Sequence, residues 1–110
     1  MFKTKNNTNI EISNQEFDQL KKRSLLIDVR DPNEYQVLKK IRNKDNTLNI
    51  INVPYYELIN NPQKYISTKD TTIITICNAG NRSTAAAISL REQGYNDVYV
   101  LKNGIYGYYV

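Results

Sequence analysis

The sequence predicts an α/β domain: a mainly parallel sheet with helices on both faces. Two observations carry this reading. Short apolar runs at 25–29, 49–53, 71–76 and 97–101 alternate with stretches of helical pattern. Runs such as Leu25-Leu26-Ile27 and Ile73-Ile74 are continuously apolar, as strands covered on both sides require. Strands joined through helices pair in parallel by right-handed crossovers, and that topology gathers chemistry at their carboxyl ends.

Each element has a local reason. A short polar strand is expected at 9–12. Ser13-Asn14-Gln15-Glu16 then has the spacing of a capping box and opens a helix over 14–22, with Phe17 and Leu20 on one face. After the strand at 25–29, Asp31 can cap a second helix, Pro32 suits its first turn, and Glu34 favours that turn electrostatically. Residues 36–48 are polar, basic and asparagine-rich without clear periodicity, which reads as a loop. The strand at 49–53 ends at Pro54, a short helix covers 55–59, and 62–66 form another helical turn. The strand at 71–76 precedes the clearest helix, 83–93, rich in alanine and closed by Gly94 as a left-handed cap. A last strand at 97–101, a turn at 102–104 and a tyrosine-rich tail at 105–110 complete the chain.

Composition narrows the function. The 110 residues suit one domain, 1–110, with one core. There is one cysteine and no histidine. No internal disulfide, Cys-x-x-Cys site, Cys–His dyad or histidine metal site can form, so neither metal nor cofactor is expected. A lone cysteine suits a reducing compartment, and residues 1–7 lack the apolar core of a secretion signal, so a cytoplasmic location and no membrane partner are expected. The net charge is +4, with basic clusters at Lys21-Lys22-Arg23 and within 39–44. Both clusters are short and acidic residues are interspersed, so they read as solvated faces and a nucleic-acid partner is not expected.

Cys77 is the focus. It ends a strand, opens the segment Asn78-Ala79-Gly80-Asn81-Arg82-Ser83 and precedes a helix, whose unpaired N–H groups and dipole favour negative charge at the sulfur. With no histidine to act as base, backbone dipoles and cationic side chains must activate it. A buried structural thiol is the alternative from position alone.

Four segments, in order, resemble the rhodanese-like family: SLLIDVRDPNEY (24–35), INVPYYEL (51–58), CNAGNRS (77–83) and YVLKNG (99–104). The resemblance implies a three-layer fold around a five-stranded, mainly parallel sheet. It implies a sulfurtransferase in which Cys77 becomes a persulfide, held by a loop of Asn78, Ala79, Gly80, Asn81 and Arg82. Asp28, Arg30, Glu34 and Ser83 are expected as support, with an ion pair between Arg30 and Glu34, helix capping by Ser83 and Thr84, and Arg82 pairing with Asp28 or Glu34. Two features depart from the family pattern. Residues 36–49 replace a shorter histidine-containing segment, and Tyr106, Tyr108 or Tyr109 stands where a tryptophan is usual.

Arg82 is five positions after Cys77, whereas cysteine phosphatases, including those of this fold, use a loop one residue longer to hold phosphate. The shorter loop suits the outer sulfur of a persulfide. The implied donor is thiosulfate, a small organic persulfide or a protein persulfide, and the uncharged Asn78 and Ala79 weaken the case for thiosulfate. With no second cysteine, an external thiol or a partner protein must accept the sulfur. Two other readings stand beside this one: a non-catalytic rhodanese-like binding module, and a cysteine phosphatase or arsenate reductase.

Overall fold

In the computed structural model, which describes residues 10–110, five strands form one sheet in which every pairing is parallel. They are β1 (Glu11–Ile12), β2 (Leu25–Asp28), β3 (Asn49–Asn52), β4 (Thr72–Ile76) and β5 (Asp97–Leu101), in the order β1-β5-β4-β2-β3. Asn9, expected in the first strand, lies outside the described residues. Helices α1 (Asn14–Leu20), α2 (Pro32–Val37), α3 (Tyr55–Asn60), α4 (Asn81–Glu92) and α5 (Gly104–Tyr108) alternate with the strands.

The period of two along each strand sorts the core into two layers. Leu26, Ile74, Ile76 and Leu101 face one side, where Phe17 of α1 and Ile105 of α5 cover them. Ile27, Ile73, Val98 and Val100 face the other, under Leu58 of α3 and Ala86, Ala87 and Leu90 of α4. The three alanines of the sequence Ala85-Ala86-Ala87 are not equivalent: the last two are fully buried, and their small size lets α4 lie close to the sheet.

Local signals explain the helix ends. Ser13 Oγ accepts from the Glu16 N–H at 3.1 Å while Glu16 Oε1 accepts from the Ser13 N–H at 2.8 Å, completing the predicted capping box. Gly94 has φ +99°, and the Tyr95 N–H reaches back to the Leu90 carbonyl at 3.0 Å, so the glycine closes α4 as expected.

Of the residues 36–48 expected as a loop, Gln36 and Val37 complete helix α2, while 38–48 are irregular as expected but not detached. Ile41 is buried in the α1/α5 layer, and the Arg42 N–H donates to Tyr109 Oη at 2.9 Å. Asn43 brackets Leu48, donating to its carbonyl and accepting from its N–H, each at 3.0 Å. Helix α2 differs from the expectation for a covering helix: none of its residues is buried. It projects from the carboxyl end of the sheet, and its role is found there.

Candidate active site

The parity of β4 decides where the sulfur points. Ile73 and Thr75 face α4, so Cys77, two residues further on, belongs to the same layer. Cys77 immediately follows the last residue of β4, at the carboxyl end of a central strand. The thiol is enclosed rather than displayed, with the residue 2 % exposed.

The loop after it turns its amides inward. Gly80 has φ +113°, a conformation costly for a side-chain-bearing residue, and this directs its N–H to Cys77 Sγ at 3.1 Å. The Ser83 N–H approaches the same sulfur at 3.4 Å, and Ser83 Oγ lies 3.2 Å from it. These are the first turn of α4, which begins at Asn81 with Gly80 as its N-cap, two residues earlier than the pattern at 83–93 suggested. Ser83 and Thr84 do not cap that helix. Their hydroxyls donate to the Gly80 carbonyl at 3.1 and 2.6 Å. The Ser83 hydroxyl has a single hydrogen, so it can serve either the Gly80 carbonyl or an anionic sulfur.

The carbonyls of the same peptides are tied from behind. The Ile105 N–H donates to the Cys77 carbonyl and the Tyr106 N–H to the Asn78 carbonyl, both at 3.0 Å. This close approach requires glycine at position 104, where φ is +61°. The start of α5 thus fixes the peptide planes of the loop so that their N–H edges stay inward. Sequence reasoning missed this partner. The available signal was the Asn103-Gly104 pair, both with positive φ (+63° and +61°) in a turn.

Two ion pairs flank the loop: Arg82–Glu34, one of the two pairings expected for Arg82, and Arg30–Asp28, which replaces the expected Arg30–Glu34 pair. Arg30 binds Asp28, with Nη2 to Oδ2 at 2.7 Å and Nε to Oδ1 at 2.9 Å, and both residues are buried. Glu34 instead binds Arg82 across 48 positions of sequence, at 2.6 Å through Nη1 and 3.1 Å through Nη2. The predicted Arg30–Glu34 pair is absent among the described residues because each finds a closer partner with bidentate geometry. The Arg82 hydrogen bonds hold the Glu34 carboxyl well below its usual range, at about 2.

Asn78 joins the two pairs. Its Oδ1 accepts from Arg30 Nη1 at 3.0 Å, and its Nδ2 donates to Glu34 Oε2 at 3.2 Å. Arg30 Nη1 also donates to the Lys39 carbonyl at 3.0 Å, and Glu34 Oε1 accepts from the Asp31 N–H at 3.1 Å. Helix α2 therefore contributes Glu34 to the site instead of side chains to the core. Of the predicted loop residues, Asn78 and Gly80 are buried, Arg82 is half-buried, and Ala79 and Asn81 form an exposed rim. Tyr106, 61 % exposed, is tied to this rim through its backbone, while Tyr108 and Tyr109 pack on the α1/α5 layer.

A five-stranded parallel sheet carrying, at a strand end, a thiol on which loop amides converge defines an α/β domain of the cysteine-loop class. Comparison with known proteins makes this specific. The sequence model of the rhodanese-like domain family matches residues 13–110, and this chain belongs to that family.

A rhodanese-related protein from Thermoplasma volcanium is 30 % identical with a TM-score of 0.71, over 90 % of this chain and 89 % of that one. A rhodanese from E. coli, solved with anions, is 30 % identical with a TM-score of 0.62, over 76 % of this chain and 89 % of that one. The human single-domain sulfurtransferase TSTD1 shares the fold, with a TM-score of 0.73 at 18 % identity, over 91 % of this chain and 95 % of that one. The comparison with curated proteins gives no match. No helix among the described residues is long and apolar enough to cross a membrane.

Proposed function

We propose that this protein is a sulfurtransferase in which Cys77 carries a sulfane sulfur between a donor and an external thiol. One observation carries the reading: the Gly80 and Ser83 N–H groups converge on Cys77 Sγ at 3.1 and 3.4 Å. Preorganised amides of this kind stabilise a thiolate and the outer sulfur of a persulfide without needing a histidine. The Cys77 thiolate attacks the sulfane sulfur of R–S–S⁻, the donor S–S bond breaks, and R–S⁻ leaves with its electron pair. An acceptor thiolate then attacks the outer sulfur of Cys77–S–S⁻ and regenerates the Cys77 thiolate. No electrons are gained or lost overall.

The charges around the loop bear on the donor. Arg82 is committed to Glu34, Arg30 to Asp28, and the Asn78 side chain is held between them. The loop thus offers peptide N–H groups to a donor instead of an uncommitted guanidinium. We read the donor as a small organic or protein persulfide in preference to dianionic thiosulfate. The low exposure of Cys77 favours donors with a slender terminal sulfur.

Low exposure is also what a non-catalytic binding module would show. Intact mass separates the two readings. Incubation with an organic persulfide donor is expected to add one sulfur atom, and Cys77→Ser to abolish the gain. An unchanged mass with persulfide and thiosulfate alike would establish the binding module instead.

A further inference from the structure

The two basic clusters, separate in sequence, meet in space. The short 3-10 turn Lys21–Arg23 and the irregular segment 38–48 enclose a groove of about 310 Å³, lined by Lys21, Lys22, Arg42 and Lys44. Its other walls include Asp45 and Leu48. Four cations against one carboxylate leave the lining at +3.

Part of this charge is already engaged. Lys21 pairs with Asp18 at 3.0 Å, and the Arg42 guanidinium lies 4.9 Å from the centre of the Tyr109 ring. Lys22 and Lys44 have no ion-pair partner among the described residues, and both are exposed. The Arg42 main chain and Leu48 are anchored to Tyr109 and Asn43 respectively, so the groove has an anchored floor beneath the exposed heads of Lys22 and Lys44.

The topology sets where this groove lies. Lys21 and Lys22 come just before β2, and Leu48 just before β3, so the groove is at the amino ends of these strands. Cys77 is at the carboxyl end of β4, which runs parallel to β2 with Leu25 opposite Ile73 and Asp28 opposite Ile76. Four strand residues separate the two ends, a span of about 13 Å. An occupant of the groove therefore leaves the mouth of the thiol loop clear.

We infer that this groove docks an acidic protein segment, a run of Asp and Glu side chains on the protein that delivers or removes the sulfur. The inference rests on the sulfur-transfer reading. Its warrant is charge complementarity in a concave site. The lining contains no aromatic side chain on which an unpaired base could stack, and a groove of a few side-chain volumes does not admit a duplex. Short carboxylate side chains fit it, and Leu48 offers their stems an apolar wall. Docking at the far end gives the partner a tether while a second part of it reaches Cys77.

The test uses the full chain and a fluorescein-labelled decaglutamate, read by anisotropy at low salt, with oligothymidylate as competitor. Decaglutamate should bind, and Lys22→Glu with Lys44→Glu should weaken it about tenfold, as loss and reversal of two exposed charge contacts implies. Cys77→Ser should leave binding unchanged, and the charge-reversed protein should still gain one sulfur from a small persulfide. Equal affinity in the wild type and the charge-reversed protein overturns the proposal, as does oligothymidylate binding more tightly than the peptide. Peptide binding with no sulfur gained by either protein supports the groove and overturns the sulfur-transfer reading alone.

Discussion

Gly104 meets the backbone of Cys77 so closely that a Cβ at position 104 would lie 2.4 Å from the Cys77 carbonyl oxygen and 2.5 Å from that of Asn78. Both obstacles are backbone atoms, and φ at Gly104 is +61°, so neither a rotamer change nor a relaxed backbone accommodates a methyl group. Gly104→Ala is expected to lower stability by about 2–4 kcal/mol, combining left-handed strain with the contact. Persulfide formation should fall as well, because the displaced peptides carry the sulfur's donors. Denaturant unfolding and intact mass check the two effects; a variant as stable and as reactive as wild type would show the contact to be compliant.

The Glu34–Arg82 pair gives a pH dependence of definite sign. Glu34 titrates near 2 in the folded chain because Arg82 hydrogen-bonds its charged form, whereas an unfolded glutamate titrates near about 4.3. A lowered carboxyl stabilises the fold above the unfolded value and loses that contribution as pH falls through the folded one. The side chains are 31 % and 37 % exposed, so solvent screening reduces the contribution to about 1 kcal/mol. Glu34→Gln should thus be less stable than wild type at pH 7, with the gap closing between about pH 5 and pH 2. Chemical unfolding at three pH values measures it, and a gap that widens in acid contradicts the pairing.

The same substitution tests donor choice. Releasing Arg82 from its carboxylate leaves a guanidinium beside the loop, which favours a dianion. The ratio of kcat/KM for thiosulfate to that for an organic persulfide should rise in Glu34→Gln. A ratio that stays constant or falls means Arg82 does not govern the donor.

Breaking the buried pair should cost more than breaking the rim pair. Arg30→Met leaves the Asp28 carboxylate buried without its guanidinium and strips donors from Asn78 Oδ1 and the Lys39 carbonyl. A loss of about 3–5 kcal/mol is expected. Asp28→Asn combined with Arg30→Met should recover part of it, since the orphaned charge is then gone. Thermal melts of the single and double variants give the comparison.

If Cys77 carries sulfur as proposed, Ser83 is expected to assist it in a way that a helix cap would not. Its hydroxyl, 3.2 Å from Cys77 Sγ, can turn from the Gly80 carbonyl to the sulfur once the latter is anionic. Ser83→Ala should slow persulfide formation about tenfold, the scale of one hydrogen bond to a charged group, with little change in melting temperature. Restoration by Ser83→Thr, which keeps the hydroxyl, would separate this from lost packing. An unchanged rate in Ser83→Ala would leave the sulfur to the amides alone.

What the sequence revealed follows the range of the interactions involved. The Thr72–Ile76 strand was legible from a continuous apolar run, and the capping box at Ser13 and the cap at Gly94 from spacings of a few residues. Cys77 was placed at a strand end by the same local logic. The partners that build its surroundings were legible only in part, because they are remote. Glu34, 48 positions from Arg82, was open only as one of two candidates beside Asp28, and the hold of α5 on the loop spans 28 positions. Pairing Arg30 with Glu34 was a reasonable choice on spacing alone, but it could not register that Asp28, two residues away, offers a better fork. The convergence of the two basic stretches was hidden likewise, since only the path of 38–48 brings them side by side.

The dependence of the loop on residues 104–106 also sets a schedule during synthesis. Until residues 104–106 have been made and have folded back, the Cys77 and Asn78 carbonyls lack the donors that Ile105 and Tyr106 supply in the folded chain. The geometry around the thiol is therefore set by contacts that lie 28 positions further along the sequence, not by the loop alone.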